Sequence, residues 1–418
     1  MMTGLMTSFE HVQEESGETF FIQDILIKLF QGEKSDELSA QIKQARTQGL
    51  WRTASLQEAY LALANYLLKG EFEPLDIRQL EKGAILQETG SHALEKQIPE
   101  PLENGHIALV YLYLGWSQGD EELLQAGLKI AAFCLSLCDH EGKLFQGMWI
   151  KEKEYKPTEL SAVFTLLFSI ISYCKAAPHP LHEDYQASPF ISLFAAQFQK
   201  LIDKEVSLPD AKLELLSPNL DRSLGFLRYH HGEMSFAATA SGFNTGLGSL
   251  HKKGIHIVSF GPHDAPLADS DHYGIFRPSN GSAEGFKDLT LESSKLKGWT
   301  QTLSRQWLFF EMKGEEENFE LTIRHSHEKR LYFAFFISAD GAHVGEECHL
   351  APKALERYRG KNGTVLFTRE GEEVTLVPHF EGEMEVIPLA GKAHFWSAEF
   401  LIAFPLGEKM KPYAWTVK

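Results

Sequence analysis

The sequence predicts an α+β protein of two domains, with packed α-helical hairpins first and an antiparallel β-sandwich second. Three observations predict this division. Apolar residues recur at helical spacing from Phe21 to about residue 205, a polar connector follows, and short β-rich runs alternate with turn residues after residue 222. We therefore expect a flexible N-terminal tail over 1–20, a helical domain over 21–205, a linker over 206–222 and a β-sandwich domain over 223–418.

The helices are predicted from the apolar rhythm and from the residues that start or stop it. One helix carries Leu56, Tyr60 and Leu63 and stops at Gly70. The others are predicted from Gly105 to Trp116, from about Glu121 to Cys138, from Pro157 with Thr158 as N-cap to Cys174, and from about Pro189 to Asp203. Because their apolar faces are broad, these helices must pack on one another in a multi-helix layer.

The strands are predicted from short runs rich in β-branched and aromatic residues, bounded by Gly, Asn, Asp or Pro. The predicted strands are 226–231, 235–240, 255–260, 307–312, 319–327, 331–338, 364–368, 374–380, 383–387 and 394–404. About ten strands at this spacing favour a β-sandwich or a larger pair of stacked sheets.

Charge and hydropathy limit the classes of partner. The 418-residue chain has a formal net charge of −17, and its densest basic cluster is only Arg357, Arg359 and Lys361, so we expect no nucleic-acid partner. The run from Leu160 to Tyr173 is too short to span a bilayer, so we expect no membrane partner. Residues 1–21 lack the basic and apolar regions of a signal peptide, which predicts a cytoplasmic location.

The four cysteines are predicted to be buried thiols in a reducing compartment. Three of them lie in apolar helical patterns, and Cys134 and Cys138 are spaced to share one helix face. No HExxH, CxxC, P-loop or GxSxG motif is present, and the glycine-rich string that starts at Gly242 is not followed by a helix. We therefore predict no metal and no cofactor.

Chemistry-bearing residues gather just after the predicted linker. Six of the 18 histidines fall between Tyr229 and Tyr273, namely His230, His231, His251, His256, His263 and His272. The same stretch and its margin also contain Glu233, Asn244, Asp264, Asp271, Tyr273 and Arg277. Titratable groups on glycine-bearing loops are what an acid–base site needs. Since successive strand residues point to opposite faces, His230 and His231 cannot both face one pocket, and His256 is expected to face solvent.

A second histidine pair, His325 and His327, would share one face of a strand. Two such imidazoles can chelate a metal ion if further ligands come from His343, Cys348 or His349. We favour the simpler interpretation that they are exposed strand histidines.

On the helical side, polar and aromatic residues lie at the ends of the predicted helices. Asn104 and His106 open one helix, and Trp149 and Tyr155 lie in a turn. Exposed aromatic rings at such turns suit stacking on sugars. The alternative, that tryptophans such as Trp149 seal the hairpin ends, stays open.

The order of the two halves resembles the heparinase II/III-like polysaccharide lyases, in which an α/α-toroid precedes a β-sandwich. The segments that carry the resemblance are Asp139–Phe145 followed by Pro157–Tyr173, similar to one toroid hairpin, and His230 through Asp264, similar to the start of the sandwich. The resemblance implies a Tyr or His base and an Asn, His or Arg group that neutralises a uronate. The candidate catalytic residues are His230, His231, Tyr273 and Tyr155, and the candidate substrate-binding residues are Asn104, His106, Trp149, Asn244, His251 and Arg277.

Several functions remain open at this point. The first is a lyase that cleaves an acidic oligo- or polysaccharide by β-elimination in a groove between the two halves. A glycoside hydrolase would need two carboxylates, of which Glu233 with Asp264 or Asp271 is the first pair to test. The others are a catalytically inactive protein of the same architecture that binds glycan or protein, and an interaction protein whose helical half docks a protein partner.

Overall fold

The computed structural model describes residues 20–48, 54–70, 101–139, 145, 157–173, 188–204, 220–221, 226–239, 247–263, 284–301, 307–327, 331–345, 348–389 and 398–418. Helices precede two antiparallel sheets, which confirms the predicted α+β fold of two domains. The chain divides into two compact units, and the second contains Ser136–Tyr155 together with Pro218–Lys418. The sequence had assigned Ser136–Tyr155 to the helical domain. Most of the predicted linker and all of the predicted tail except Phe20, which begins α1, lie outside the described residues.

Seven helices are present in the described part of the chain. They are α1 Phe20–Phe30, α2 Asp36–Gln48, α3 Ala54–Lys69, α4 Pro101–Gln118, α5 Glu121–Ser136, α6 Pro157–Tyr173 and α7 Pro189–Asp203. None of these helices has both the length and the apolar content that a bilayer span requires.

Proline sets the start of three of these helices. Because proline lacks an N–H and has a fixed φ, it fits the first helical position. Helix α4 therefore begins at Pro101, four residues before the predicted Gly105, and α6 begins at Pro157, so that Thr158 lies in its first turn and is not the N-cap. At α7 the Ser188 side chain accepts a hydrogen bond from the backbone of Ile191.

Helices α4 and α5 approach each other closely through glycine. A Cβ on Gly115 would lie 2.6 Å from the backbone nitrogen of Leu124, and one on Gly127 would lie 3.0 Å from the backbone nitrogen of Leu112. Neither position has room for a larger side chain unless the helices separate. Helix α5 ends at Ser136, two residues earlier than predicted, so Cys138 lies beyond it.

The described strands form two nine-stranded antiparallel sheets. The strands are β1 Leu220–Asp221, β2 Phe226–His231, β3 Met234–Thr239, β4 Gly248–Lys252, β5 Ile255–His263, β6 Glu284–Glu292, β7 Lys295–Gln301, β8 Trp307–Glu315, β9 Asn318–His325, β10 Leu331–Ser338, β11 Gly341–Val344, β12 Cys348–Leu350, β13 Tyr358–Lys361, β14 Val365–Arg369, β15 Glu372–Pro378, β16 Glu383–Pro388, β17 Phe400–Leu406 and β18 Tyr413–Val417. The first sheet has the order β1-β2-β3-β4-β5-β10-β17-β16-β13, and the second has the order β12-β11-β14-β15-β18-β9-β8-β7-β6. Neighbouring strands are antiparallel throughout.

The sheets pack through alternate side chains of each strand. Phe236 of the first sheet meets Phe319 of the second with ring centroids 4.8 Å apart, and Phe333 stacks on Trp415 at the same separation. Strand β5 pairs with β10, although β6–β9, which intervene in the sequence, belong to the second sheet. Polar and aromatic residues of β2–β5 that point away from this core are therefore held by a large, rigid sandwich.

The ten predicted strands all overlap observed ones, and eight further described strands were not predicted. Two of the missed strands, β4 and β7, lack a strong apolar pattern for local reasons. Strand β4 begins at Gly248, where a Cβ would lie 2.6 Å from the carbonyl oxygen of Ala237. Strand β7 carries Lys295 and Lys297, which both contact Glu311 on the neighbouring β8.

Candidate functional site

A polar row crosses the first sheet on the face turned away from the sandwich core. The strand registers pair His230 with Ser235, Ser235 with His251, His251 with His256, and His256 with Ser338. Directly opposed residues of antiparallel strands project to the same face, so these five side chains share one face. Core residues alternate with them along β3 and β4.

At the centre of this row, His251 forms a buried hydrogen bond with Asp139. Asp139, three residues beyond the end of α5, is 1% exposed, and His251 on β4 is 4% exposed. The Nδ1 atom of His251 donates to the Asp139 carboxylate, because an ionised carboxylate can only accept. With Nδ1–H engaged in this way, a neutral imidazole has its lone pair on Nε2, the arrangement of a histidine that serves as a base.

Two further rings hold His251 in place. The His256 ring stacks on it with centroids 3.9 Å apart and an interplanar angle of 15°, and the buried Phe145 ring lies 4.9 Å away. The backbone nitrogen of Phe145 donates to the carbonyl of Leu137, which keeps this segment close to the chain that carries Asp139. The expectation that His256 faces solvent was wrong, since its ring is half-buried against His251.

Burial and nearby charges also shift the pKa values of two groups beside Asp139. Burial, followed by the charge of Asp139, raises the pKa of the Cys138 thiol, although Arg228 opposes this shift. A protonated, buried thiol is a poor nucleophile. Burial lowers the pKa of the Arg228 guanidinium, while Cys138 and Asp139 act to raise it, and its Nη2 donates to the Asp139 carbonyl at 3.4 Å. The prediction of buried thiols is confirmed for Cys134 and Cys138.

The structure brings only some of the candidate residues of the β half together. His230 is exposed at the end of the polar row, and its Nδ1 lies 3.2 Å from the Ser235 hydroxyl. His231 pairs with Met234 and projects to the other face, as strand alternation predicts. Glu233 is exposed in the turn that joins β2 and β3.

The candidates of the helical half lie within its packed interior. Asn104 and His106 on α4 are 2% and 3% exposed. The His106 ring contacts Tyr60 and Phe190, with centroids 5.9 and 5.8 Å apart. Their assignment to substrate binding stays a prediction. The remaining candidates lie outside the described residues: Tyr155, Trp149, Asn244, Tyr273, Arg277, Asp264 and Asp271.

The histidine pair at the end of β9, His325 and His327, is less exposed than the favoured interpretation expected. His325 is fully buried against the Tyr413 ring, and neither of its ring nitrogens has a hydrogen-bond partner in the described structure. Burial, with a smaller effect of His327, lowers the pKa of His325 to about 4, and burial lowers the pKa of His327 to about 4. Among the described residues no three His, Cys, Asp or Glu side chains are grouped to hold a metal ion.

The residue that sequence reasoning missed is Asp139. It was named from the sequence only as the first residue of the segment similar to a toroid hairpin, and nothing near it in the sequence indicates that it is buried against His251. One signal was present, since a carboxylate close to the apolar end of α5 must be paired if it is buried. The partner could not be named without the fold.

Comparison with known proteins finds only distant structural similarity. No family model matches the chain, and no curated protein sequence matches it. A chondroitinase AC lyase is 10% identical, with 96% of this chain and 75% of that chain covered and a TM-score of 0.34. The heparan sulfate lyase HepC from Pedobacter heparinus gives the same values. A 4-alpha-glucanotransferase from Thermococcus litoralis is 8% identical, with 82% and 54% covered and a TM-score of 0.33. The resemblance to polysaccharide lyases is thus weak and carries no argument about function.

Proposed function

We propose that the protein is a carbohydrate-active enzyme that cleaves an acidic glycan by β-elimination, with His251 as the base and Asp139 as the residue that orients it. The observation that carries the proposal is the buried hydrogen bond between these two side chains. The substrate class rests on the resemblance of the sequence to heparinase II/III-like lyases. The choice of base rests on geometry, which favours His251 over His230 and His231.

β-Elimination needs a base, and the pair of His251 and Asp139 can supply one. In β-elimination from a uronate, a base removes the C5 proton, the electrons form the C4–C5 double bond, and the oxygen on C4 leaves with a proton that the protonated base returns. A carboxylate on Nδ1 fixes the imidazole tautomer, stabilises the imidazolium that forms, and leaves Nε2 to take the proton. The stack on His256 fixes the plane of the ring, so little reorganisation is needed.

The same row offers donors for an anionic substrate. The chain as a whole is strongly acidic, so a uronate needs local positive charge or N–H donors. His256 and His230 lie on the same face as His251, and imidazole N–H groups or imidazolium ions can bind a carboxylate. Arg228 adds a positive charge beside Asp139.

A catalytically inactive glycan-binding protein is the second candidate, and one observation favours it. Asp139 and His251 are almost fully buried, as expected if the pair only fastens the Ser136–Tyr155 segment to the sheet. No described geometry favours a hydrolase, because Glu233 is exposed in a turn and the carboxylates suggested as its partners lie outside the described residues.

The test is an activity screen with matched variants. The full chain is incubated with a panel of acidic polysaccharides, and the ultraviolet absorbance of unsaturated uronate products is followed. We expect turnover of at least one polysaccharide and a loss of about 10²–10⁴-fold in His251→Gln. The control is His379→Gln, which changes an exposed histidine at the end of β15.

Two outcomes contradict the proposal. If His251→Gln cleaves the substrate as fast as the control does, His251 is not the base. If no polysaccharide is cleaved, but calorimetry detects binding of one of them, the inactive glycan-binding protein is the correct interpretation.

A further inference from the structure

A pair of histidines, of which His343 is half-buried and His349 is exposed, lies at one edge of the second sheet, independent of the site proposed above. His343 on β11 is in register with His349 on β12, the edge strand of that sheet. Their Nδ1 atoms are 3.1 Å apart, and their ring centroids are 4.2 Å apart. Because Ala342 and Val344 belong to the sandwich core, both imidazoles project from the opposite, outer face.

The separation of the two nitrogens matches that of two ligands on one metal ion. With Zn–N bonds of about 2.0–2.1 Å, two imidazole nitrogens lie about 2.9 Å apart at a right angle and about 3.4 Å apart at the tetrahedral angle. The observed 3.1 Å lies between these values. When both rings are neutral, one Nδ1–H can donate to the other Nδ1, and a metal ion can take its place once that proton has moved to the Nε2 atom of the same ring.

A glycine and a hydroxyl lie beside the pair. Gly341 lies on the same face as His343, because it is two residues earlier in β11, and Thr368 is its partner in register. A Cβ on Gly341 would lie 2.9 Å from Thr368 Oγ1, 3.3 Å from His349 Cε1 and 3.7 Å from His343 Nε2. The Thr368 hydroxyl and both imidazoles therefore lie close to the Gly341 backbone on one face of the sheet.

We propose that His343 and His349 bind one first-row transition-metal ion, with water in the remaining coordination positions. Imidazole suits Zn²⁺, Cu²⁺ and Ni²⁺, whereas Mg²⁺ and Ca²⁺ prefer oxygen. Cys348, which adjoins His349, packs toward the core and does not join the ligand set. Two protein ligands leave open positions, so the ion is exchangeable. Binding would also add a link between β11 and the edge strand β12, which already pair through their backbones.

The first experiment measures affinity. The full chain is stripped with a chelator and titrated with Zn²⁺ in competition with a chromophoric indicator. We expect one equivalent to bind, and His343→Gln or His349→Gln each to weaken binding at least about tenfold, since even the partners that orient metal ligands contribute about 10–100-fold. His379→Gln, an exposed histidine of the same unit, should bind Zn²⁺ as the wild type does.

The second experiment identifies the ligands. Electron paramagnetic resonance of one equivalent of Cu²⁺ should show coupling to two imidazole nitrogens in the wild type and to one in either variant. Circular dichroism and thermal unfolding without metal check that the variants remain folded. The proposal is overturned if either variant binds Zn²⁺ as tightly as the wild type does, or if the wild type binds less than one equivalent. In either case the two rings only share a hydrogen bond.

Discussion

The Nδ1 atom of His251 donates a hydrogen bond to the carboxylate of Asp139, which lies 112 residues earlier in the chain. Both groups are buried, so the loss of either partner would leave the other without its hydrogen bond in a water-poor environment. Such a pair is informative because its structural role and its catalytic role predict different results for a double mutant.

Asp139→Asn tests whether the two residues act as one unit. The amide keeps the size of the side chain but removes the charge that stabilises an imidazolium at His251. We expect kcat to fall by about 10²–10⁴-fold with little change in KM. We also expect Asp139→Asn to have almost no further effect in the His251→Gln background, because groups that act together are not additive. Steady-state kinetics of the two single variants and the double variant measure this. Independent, multiplying losses would argue against the pair.

His325 should make the β unit sensitive to acid. In the folded chain burial holds its pKa at about 4, whereas the unfolded chain has the ordinary value of 6.5. Between these values the unfolded state binds a proton that the folded state does not, so stability falls as the pH is lowered from 6.5 to 4. His325→Phe, which keeps a ring against Tyr413, should remove up to roughly 3 kcal/mol of this pH dependence.

Urea unfolding at several pH values between 4 and 7.5 measures the His325 effect. His327 has a similarly lowered pKa, so part of the acid sensitivity should remain in His325→Phe. His379→Gln serves as the control, because it changes an exposed histidine. An unchanged slope of stability against pH in His325→Phe would contradict the prediction.

Gly115→Ala should destabilise the helical unit, although alanine is the better helix former. The added Cβ would lie 2.6 Å from the backbone of Leu124, and a backbone atom cannot move aside as a flexible side chain can. The overpacking costs about 1–3 kcal/mol and the propensity gain is about 1 kcal/mol, so we expect a net loss of up to about 2 kcal/mol. Thermal unfolding measures it. Gly363→Ala, where nothing lies within 4 Å of the new Cβ, should be nearly neutral.

The features that local pattern controls were predictable from the sequence. Helix α7 was predicted with its observed bounds, because Pro189 opens it and its apolar rhythm is regular. The opposite directions of His230 and His231 follow from strand alternation alone. The histidine-rich stretch did place His230, His251 and His256 in one region of one sheet.

Features that depend on distant chain segments were not predictable. His325 was expected to be exposed, because the sequence does not show that Tyr413 of β18 covers it. The pair of His343 and His349 was considered only as a source of ligands for His325 and His327, since the register of β11 and β12 is set by pairing and not by composition. Asp139 was missed for the same reason.

The pairing of β5 with β10 has a consequence for synthesis on the ribosome. Strand β5 is complete at His263, but its neighbour begins only at Leu331. At about 5–20 residues per second, the apolar edge of β5 waits roughly 3–14 s for its partner. During that time a nascent chain presents unpaired backbone groups to any other strand nearby. Chaperone binding to ribosome-held chains that end between these two strands should therefore exceed binding to chains that already extend past β10.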